Sequence, residues 1–146
     1  MAASSTPPAP PPLPEGLLDQ YKLMAEMSDR LSARRGLANS FFLTVESALV
    51  ATVTLADKRT WPIAVAGIIV AVAWFRLLRS YKTLNGAKFD VIHAMEARLP
   101  VQPFKDEWDI LDRPGQKLWQ RYTALSTIEQ TVPLVFIGLH GILLAT

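Results

Sequence analysis

The 146-residue sequence contains no cysteine. Disulfide frameworks, cysteine-based zinc sites, iron–sulfur clusters and thiol nucleophiles are therefore excluded. Charge is scarce, because Asp, Glu, Lys and Arg together make up only 19% of the residues. No basic run with interleaved aromatic residues is present, so we expect no nucleic-acid partner. Glycine-rich phosphate loops, GxSxG elbows and HExxH motifs are also missing. We predict that the protein is not an enzyme and that it has no cofactor, catalytic or metal site.

Apolar residues make up half of the chain, and they are concentrated in two dense blocks and one shorter C-terminal block. At about 1.5 Å per residue, a helix of about twenty residues covers about 30 Å, the thickness of a hydrocarbon core. Residues 37–56 and 61–80 meet that length, and the polar residues 57–60 form a tight turn between them. The sequence therefore predicts a transmembrane helical hairpin over residues 37–81.

The segments before the hairpin differ sharply in composition. Six of the eleven prolines lie among the first fourteen residues, so residues 1–16 are predicted to be a disordered, proline-rich tail. Residues 17–36 are predicted to form a cytoplasmic helix continuous with the first span. One face of that helix carries apolar and small residues at alternating four- and three-residue steps, namely Leu17, Tyr21, Met24, Ser28 and Leu31. Packing on the protein itself and self-association with another copy are equally compatible with this face.

Basic residues set the expected orientation. They lie mainly on the two outer flanks of the hairpin, and the membrane-flanking set is Arg30, Arg34, Arg35, Arg76 and Arg79. Only Lys58 and Arg59 lie in the turn. Positive residues are retained on the cytoplasmic side of a bilayer, so both termini of this multi-pass protein are predicted to be cytoplasmic.

Residues 82–146 are predicted to form a cytoplasmic helical region. An amphipathic helix should end before Pro100, and a loop with at most a short turn around Trp108 should follow. The apolar block at residues 132–145 is short for a span and contains His140. A buried or interfacial cytoplasmic helix, kinked at Pro133, is therefore favoured over a re-entrant segment or a third span.

Glu46 is the most informative single residue, because an isolated carboxylate near the middle of a span is costly unless it is paired, hydrated or protonated. It either lines or gates a pore, or fixes helix packing through a hydrogen bond, with Asn39 as a possible partner. A second stripe of small and hydroxyl residues favours hairpin packing over subunit contact. The candidate pore or subunit-packing residues are Asn39, Ser40, Thr44, Glu46, Ser47 and Thr54. His93 and His140 are predicted to be structural.

Polar residues around the spans resemble those of the RipA family of octameric bacterial membrane proteins. The resemblance rests on the runs YKLMAEMSDRLSARRGLANSFFLTVESALVA and LRSYKTLNGAKFDVIHAMEARLPVQPFKDEW, and it extends from Tyr21 to the C-terminus. It implies a homo-octamer in the bacterial cytoplasmic (inner) membrane with helical domains in the cytoplasm. The two-span organisation is also similar to SLATT-type membrane effectors.

The sequence thus predicts an all-α, homo-oligomeric membrane protein with a two-helix transmembrane hairpin and a cytoplasmic helical domain. The first functional hypothesis is a pore-like or membrane-perturbing assembly in the lipid bilayer. The alternative is a non-conducting scaffold for envelope homeostasis, stress or host adaptation, with an unidentified cytoplasmic protein partner.

Overall fold

A computed structural model describes residues 14–56, 61–111 and 125–145. Four α-helices make up the regular structure of this part of the chain: α1 (Leu17–Leu55), α2 (Trp61–Glu96), α3 (Pro103–Leu111) and α4 (Leu125–Ala145). The predicted all-helical class is confirmed for these residues. The predicted polar turn at residues 57–60 and most of the predicted proline-rich tail lie outside the described ranges.

Helices α1 and α2 are long, continuous and antiparallel. Tyr21 on α1 contacts Glu96 on α2, and further along α1 Asn39 contacts Trp74. The residue numbers of the contacting positions therefore increase along α1 while they decrease along α2, as expected for antiparallel helices. The face of α1 that was compatible with two roles packs on its own chain, since Ser28 is buried and its hydroxyl lies 3.3 Å from Oδ1 of Asn85. The structure assigns this face to folding within one protomer.

Helix α4 contains the C-terminal apolar block at residues 132–145, which was predicted to be a buried or interfacial cytoplasmic helix. It packs along α2 and also contacts α1. Its early residue Glu129 meets Arg35, and its late residue His140 meets Glu46, so α4 runs parallel to α1. The block is therefore part of the same helix bundle as α1 and α2.

Within the described ranges, three helices are long and apolar enough to cross a membrane: Leu17–Leu55, Trp61–Glu96 and Thr127–Ala145. The prediction of two spans had counted only the fourteen residues at 132–145 in the C-terminal block. The preceding turn of α4 adds mostly uncharged residues, with Glu129 as its one charged side chain, and this lengthens the helix to a spanning size. Pro133 lies inside α4 and is buried.

Helix α3 replaces the predicted loop around Trp108. Pro103 occupies its first position, where the missing N–H costs nothing, and Asp106 in the first turn complements the helix dipole. The carboxylate of Glu96 accepts hydrogen bonds from the backbone N–H groups of Phe104 and Lys105 at 2.9 and 3.2 Å. The sequence pattern missed this helix because its cap comes from the end of another helix.

The described protomer buries few large side chains and exposes many apolar ones. Its core lies between α1, α2 and α4 and includes Trp74, Leu78 and Ala71. Apolar side chains on the outer faces remain open, including Leu37, Phe41, Ile69, Val135 and Ile142. Extensive apolar exposure of this kind suits contact with lipid or with neighbouring subunits.

Candidate functional site

Glu46 and His140 form a fully buried pair where α1 meets α4. Oε2 of Glu46 lies 3.0 Å from Nε2 of His140, and neither residue has measurable exposure. Which atom donates depends on the imidazole tautomer. The partner that an intramembrane carboxylate requires therefore comes from 94 positions later in the chain, and the suggested partner Asn39 does not supply it. A carboxyl–imidazole pair of this kind can hold and exchange a proton.

Gly67 on α2 provides the space for the imidazole of His140. A Cβ atom built on Gly67 would overlap the Nε2, Cε1 and Cδ2 atoms of that ring. Helix α1 thus supplies the carboxylate and α4 supplies the imidazole. Helix α2 supplies the space between them, because Gly67 has no side chain. The prediction that His140 is structural agrees with this placement, although its partners could not be named from the sequence.

Asn39 contacts the aromatic core of the protomer. Its Oδ1 accepts a hydrogen bond from Nε1 of Trp74 at 2.9 Å. The Trp74 ring is stacked on Phe42 with 5.7 Å between centroids, and Phe136 of α4 lies 6.2 Å away. The indole N–H is therefore satisfied while the ring joins all three long helices. This contact places Asn39 in helix packing within the protomer.

A third polar contact lies nearer the start of α4. Nε of Arg35 is 3.2 Å from Oε2 of Glu129, and both side chains are less than one-fifth exposed. Arg35 was predicted to be one of the membrane-flanking basic residues, and in the structure it ties α4 to α1. We call the three pairs Arg35–Glu129, Asn39–Trp74 and Glu46–His140 the buried polar seam.

The other predicted basic residues remain on the surface. Arg30 pairs with Glu26 at 2.6 Å in an exposed contact, and Arg34, Arg76 and Arg79 are exposed. Among the described residues, no group of three or more His, Cys, Asp or Glu side chains is arranged to hold a metal ion.

The hydroxyl stripe of α1, defined as Ser40, Thr44, Ser47, Ala51 and Thr54, is exposed along its whole length. Hydroxyls of Ser40, Thr44 and Thr54 bond to carbonyl oxygens of their own helix at 3.2, 2.9 and 3.0 Å. With 3.6 residues per turn, the stripe lies roughly 120° around α1 from the buried polar seam. The favoured interpretation as hairpin packing is therefore wrong, and the stripe is open to another subunit.

Several residues of the site were missed by the sequence interpretation. Trp74 carried no distinguishing local signal. Glu96 was also missed, yet it is buried and accepts hydrogen bonds from the Tyr21 hydroxyl at 3.0 Å and from the start of α3. The pKa of Tyr21 is raised to about 12. Burial of the phenol is the largest cause, followed by its hydrogen bond to Glu96 and the negative charge of that carboxylate. The one sequence signal for a distant contact was Glu46, because a carboxylate in a span is costly unless it is paired, hydrated or protonated.

A family model described as the octameric membrane protein family (8xMP) matches residues 18–146. No curated protein and no solved structure matches the chain.

Proposed function

This chain belongs to the octameric membrane protein family, and on that premise we propose that it forms a homo-octameric, pore-like assembly in a bacterial cytoplasmic membrane. The observation that carries the proposal is the exposed hydroxyl stripe of α1. Small residues let helix backbones approach closely, and hydroxyl groups can bond across a contact or face water. No residue of the stripe is needed to hold the protomer together.

The remaining exposed surface supports the same arrangement. The outer faces of α2 and α4 carry large apolar residues such as Ile69, Val72, Leu139 and Ile142, which suit lipid. In a ring with closed symmetry, α1 would then turn toward the neighbouring subunit and the central axis. The pore would be lined by hydroxyls, while Glu46 stays inside each protomer.

Membrane placement follows from the direction of α4 and from the charges. Basic residues at the outer flanks of α1 and α2 favour a cytoplasmic N-terminus. Because α4 runs parallel to α1, a spanning α4 ends on the side of the α1–α2 turn. We therefore replace the prediction of two cytoplasmic termini with a three-span topology and a C-terminus across the membrane.

Matched substitutions on the two kinds of surface test the proposal. Ala51→Leu fills the hydroxyl stripe, whereas Ala66→Leu adds the same volume at an exposed position of α2. We expect Ala51→Leu to lower the octamer fraction in detergent and to reduce solute release from liposomes, and Ala66→Leu to leave both unchanged. Intact octamers that release no solute in liposomes would contradict the pore.

A non-conducting scaffold is the second candidate, and one observation favours it. Glu46, the only acidic residue in the first span, is fully buried against His140 and faces no path within the protomer. If the assembly is a scaffold, Glu46→Gln should leave the cellular phenotype unchanged, while disruption of the α3 surface should abolish it. A relation to RipA or SLATT-type proteins, and the absence of enzymatic activity, remain predictions.

A further inference from the structure

A groove between α1 and α2 combines three cations with an apolar floor. It has a volume of about 310 Å³. We call it the basic groove, and its lining residues are Met27, Arg30, Leu31, Arg34, Leu84 and Lys88. The groove is formed by the helix extensions beyond the predicted spans, and Arg34 lies about one helical turn before the first span at residue 37.

From this groove we propose that each protomer binds the phosphate headgroup of an anionic phospholipid from the adjacent leaflet. Basic pockets between helices at the cytoplasmic boundary have the chemistry to hold such headgroups. Guanidinium groups donate two parallel hydrogen bonds to phosphate oxygens, and an ammonium group adds a compact charge. The apolar floor from Met27, Leu31 and Leu84 would contact the glycerol and the first acyl carbons.

The charges in the groove are available for a ligand. Arg30 contacts Glu26 at an exposed position, where a surface ion pair contributes little. Within the described part of the chain, Arg34 and Lys88 form no ion pair with an acidic side chain. The cations that hold α4 are different residues, since Arg35 contacts Glu129 and Lys82 contacts Thr127. The groove can therefore bind a ligand without disturbing the buried polar seam.

The location selects a lipid over a soluble phosphate. The groove is open at the level where the extensions of α1 and α2 leave the predicted spans, so a headgroup can enter from the side while its acyl chains stay in the bilayer. This inference rests on the membrane placement proposed above, but it does not depend on whether the octamer conducts.

Native mass spectrometry of the full-length, detergent-solubilised protein tests the site. Phosphatidylglycerol is added to wild-type protein, to Arg34→Gln/Lys88→Gln and to the charge-matched control Arg76→Gln/Arg79→Gln. All four positions are accessible on the surface or line the open groove, so we expect each variant to fold. The oligomer mass is read from the same spectrum, which separates loss of lipid from loss of assembly.

We expect the groove variant to bind phosphatidylglycerol about thirtyfold more weakly and the control to bind like wild type. Phosphatidylcholine and inorganic phosphate should compete poorly. Equal lipid binding by the groove variant and wild type, or an equal loss in the control, would overturn the site. Inorganic phosphate binding at least as tightly as the lipid would overturn the lipid as the occupant.

Discussion

At the scale of single residues, three pairs of polar side chains join the long helices. Glu46 meets His140, Asn39 meets Trp74, and Arg35 meets Glu129. In an apolar environment, a polar group without a partner is costly, so the Asn39–Trp74 pair restricts how α2 sits against α1 and the other two pairs restrict how α4 sits against α1. Contacts between apolar side chains would allow sliding along the helices. The buried polar seam therefore fixes the register of the three helices.

Gly67→Ala tests the space reserved for the imidazole. The added methyl group would overlap His140, and overpacking of this kind costs about 1–3 kcal/mol. We expect a lower midpoint of thermal unfolding in detergent. Gly138→Ala on α4 is the matched control, because a Cβ atom there meets no heavy atom within 4 Å.

The combination with His140→Ala makes the test specific. Once the imidazole is removed, Gly67→Ala should add almost no further destabilisation, so the two substitutions should be strongly non-additive. Equal stability of the Gly67→Ala and Gly138→Ala proteins would show that the imidazole does not need this space.

Tyr21 gives a pH-dependent signal outside the spans. Its pKa is raised from 10.0 to about 12, because burial and the nearby carboxylate of Glu96 disfavour the phenolate. The raised pKa contributes stability that is complete below pH 10 and is lost as pH rises through about 12. Ultraviolet tyrosinate absorbance should show one late-titrating tyrosine, and Tyr21→Phe should remove it. A titration that is unchanged by Tyr21→Phe would contradict the assignment.

At the scale of elements, α3 depends on a residue outside itself. It has nine residues, which is too short for a stable isolated helix in water. The carboxylate of Glu96 accepts from two N–H groups at its start and from the Tyr21 hydroxyl. Phe104 also packs against Tyr21 and Phe89 with ring centroids 6.2 and 5.7 Å apart. One carboxylate and three rings therefore hold α3 against α1 and α2.

Glu96→Ala should release α3 while the long helices stay folded. Loss of a helix cap costs about 0.5–2 kcal/mol, so backbone amides of residues 103–111 should exchange with deuterium up to about thirtyfold faster. Asp90→Ala removes an exposed carboxylate from the same helix and serves as the control. If both variants show the same exchange in α3, the capping role of Glu96 is refuted.

At the scale of the whole molecule, the direction of α4 determines the topology. The contacts of Glu129 and His140 show that α4 runs in the direction of α1, toward the end of the bundle where α1 ends and α2 begins. An assembly of such protomers would present the two chain ends on opposite sides of a membrane. The absence of cysteine makes this arrangement easy to measure, because a single introduced thiol has no competitor.

Glu15→Cys and Ala145→Cys report on the two ends. We expect a membrane-impermeant maleimide to label Ala145→Cys in intact spheroplasts, and Glu15→Cys only after the membrane is permeabilised. If neither cysteine is labelled before permeabilisation and both are labelled afterwards, both termini are cytoplasmic and the three-span topology is contradicted.

The sequence alone determined the class of the protein and which residues share one face of α1. Both follow from local properties: hydropathy adds up along a segment, and helical periodicity repeats every 3.6 residues. The face that begins at Leu17 and Tyr21 continues through Ser28 and Leu31, so its members could be predicted from spacing. A separate argument, the cost of a lone carboxylate in a span, predicted that Glu46 is paired, hydrated or protonated.

The tertiary structure alone decided which partner Glu46 has and where α4 lies. His140 is 94 positions away, and Gly67 matters only because that imidazole occupies the space beside it. The hydroxyl stripe was assigned to the wrong contact for the same reason, since spacing shows which residues share a face but not what covers it. Pairing between helices that are distant in sequence depends on the fit of their surfaces and on hydrogen bonds across the contact. Hydropathy and periodicity along a single segment contain no information about either.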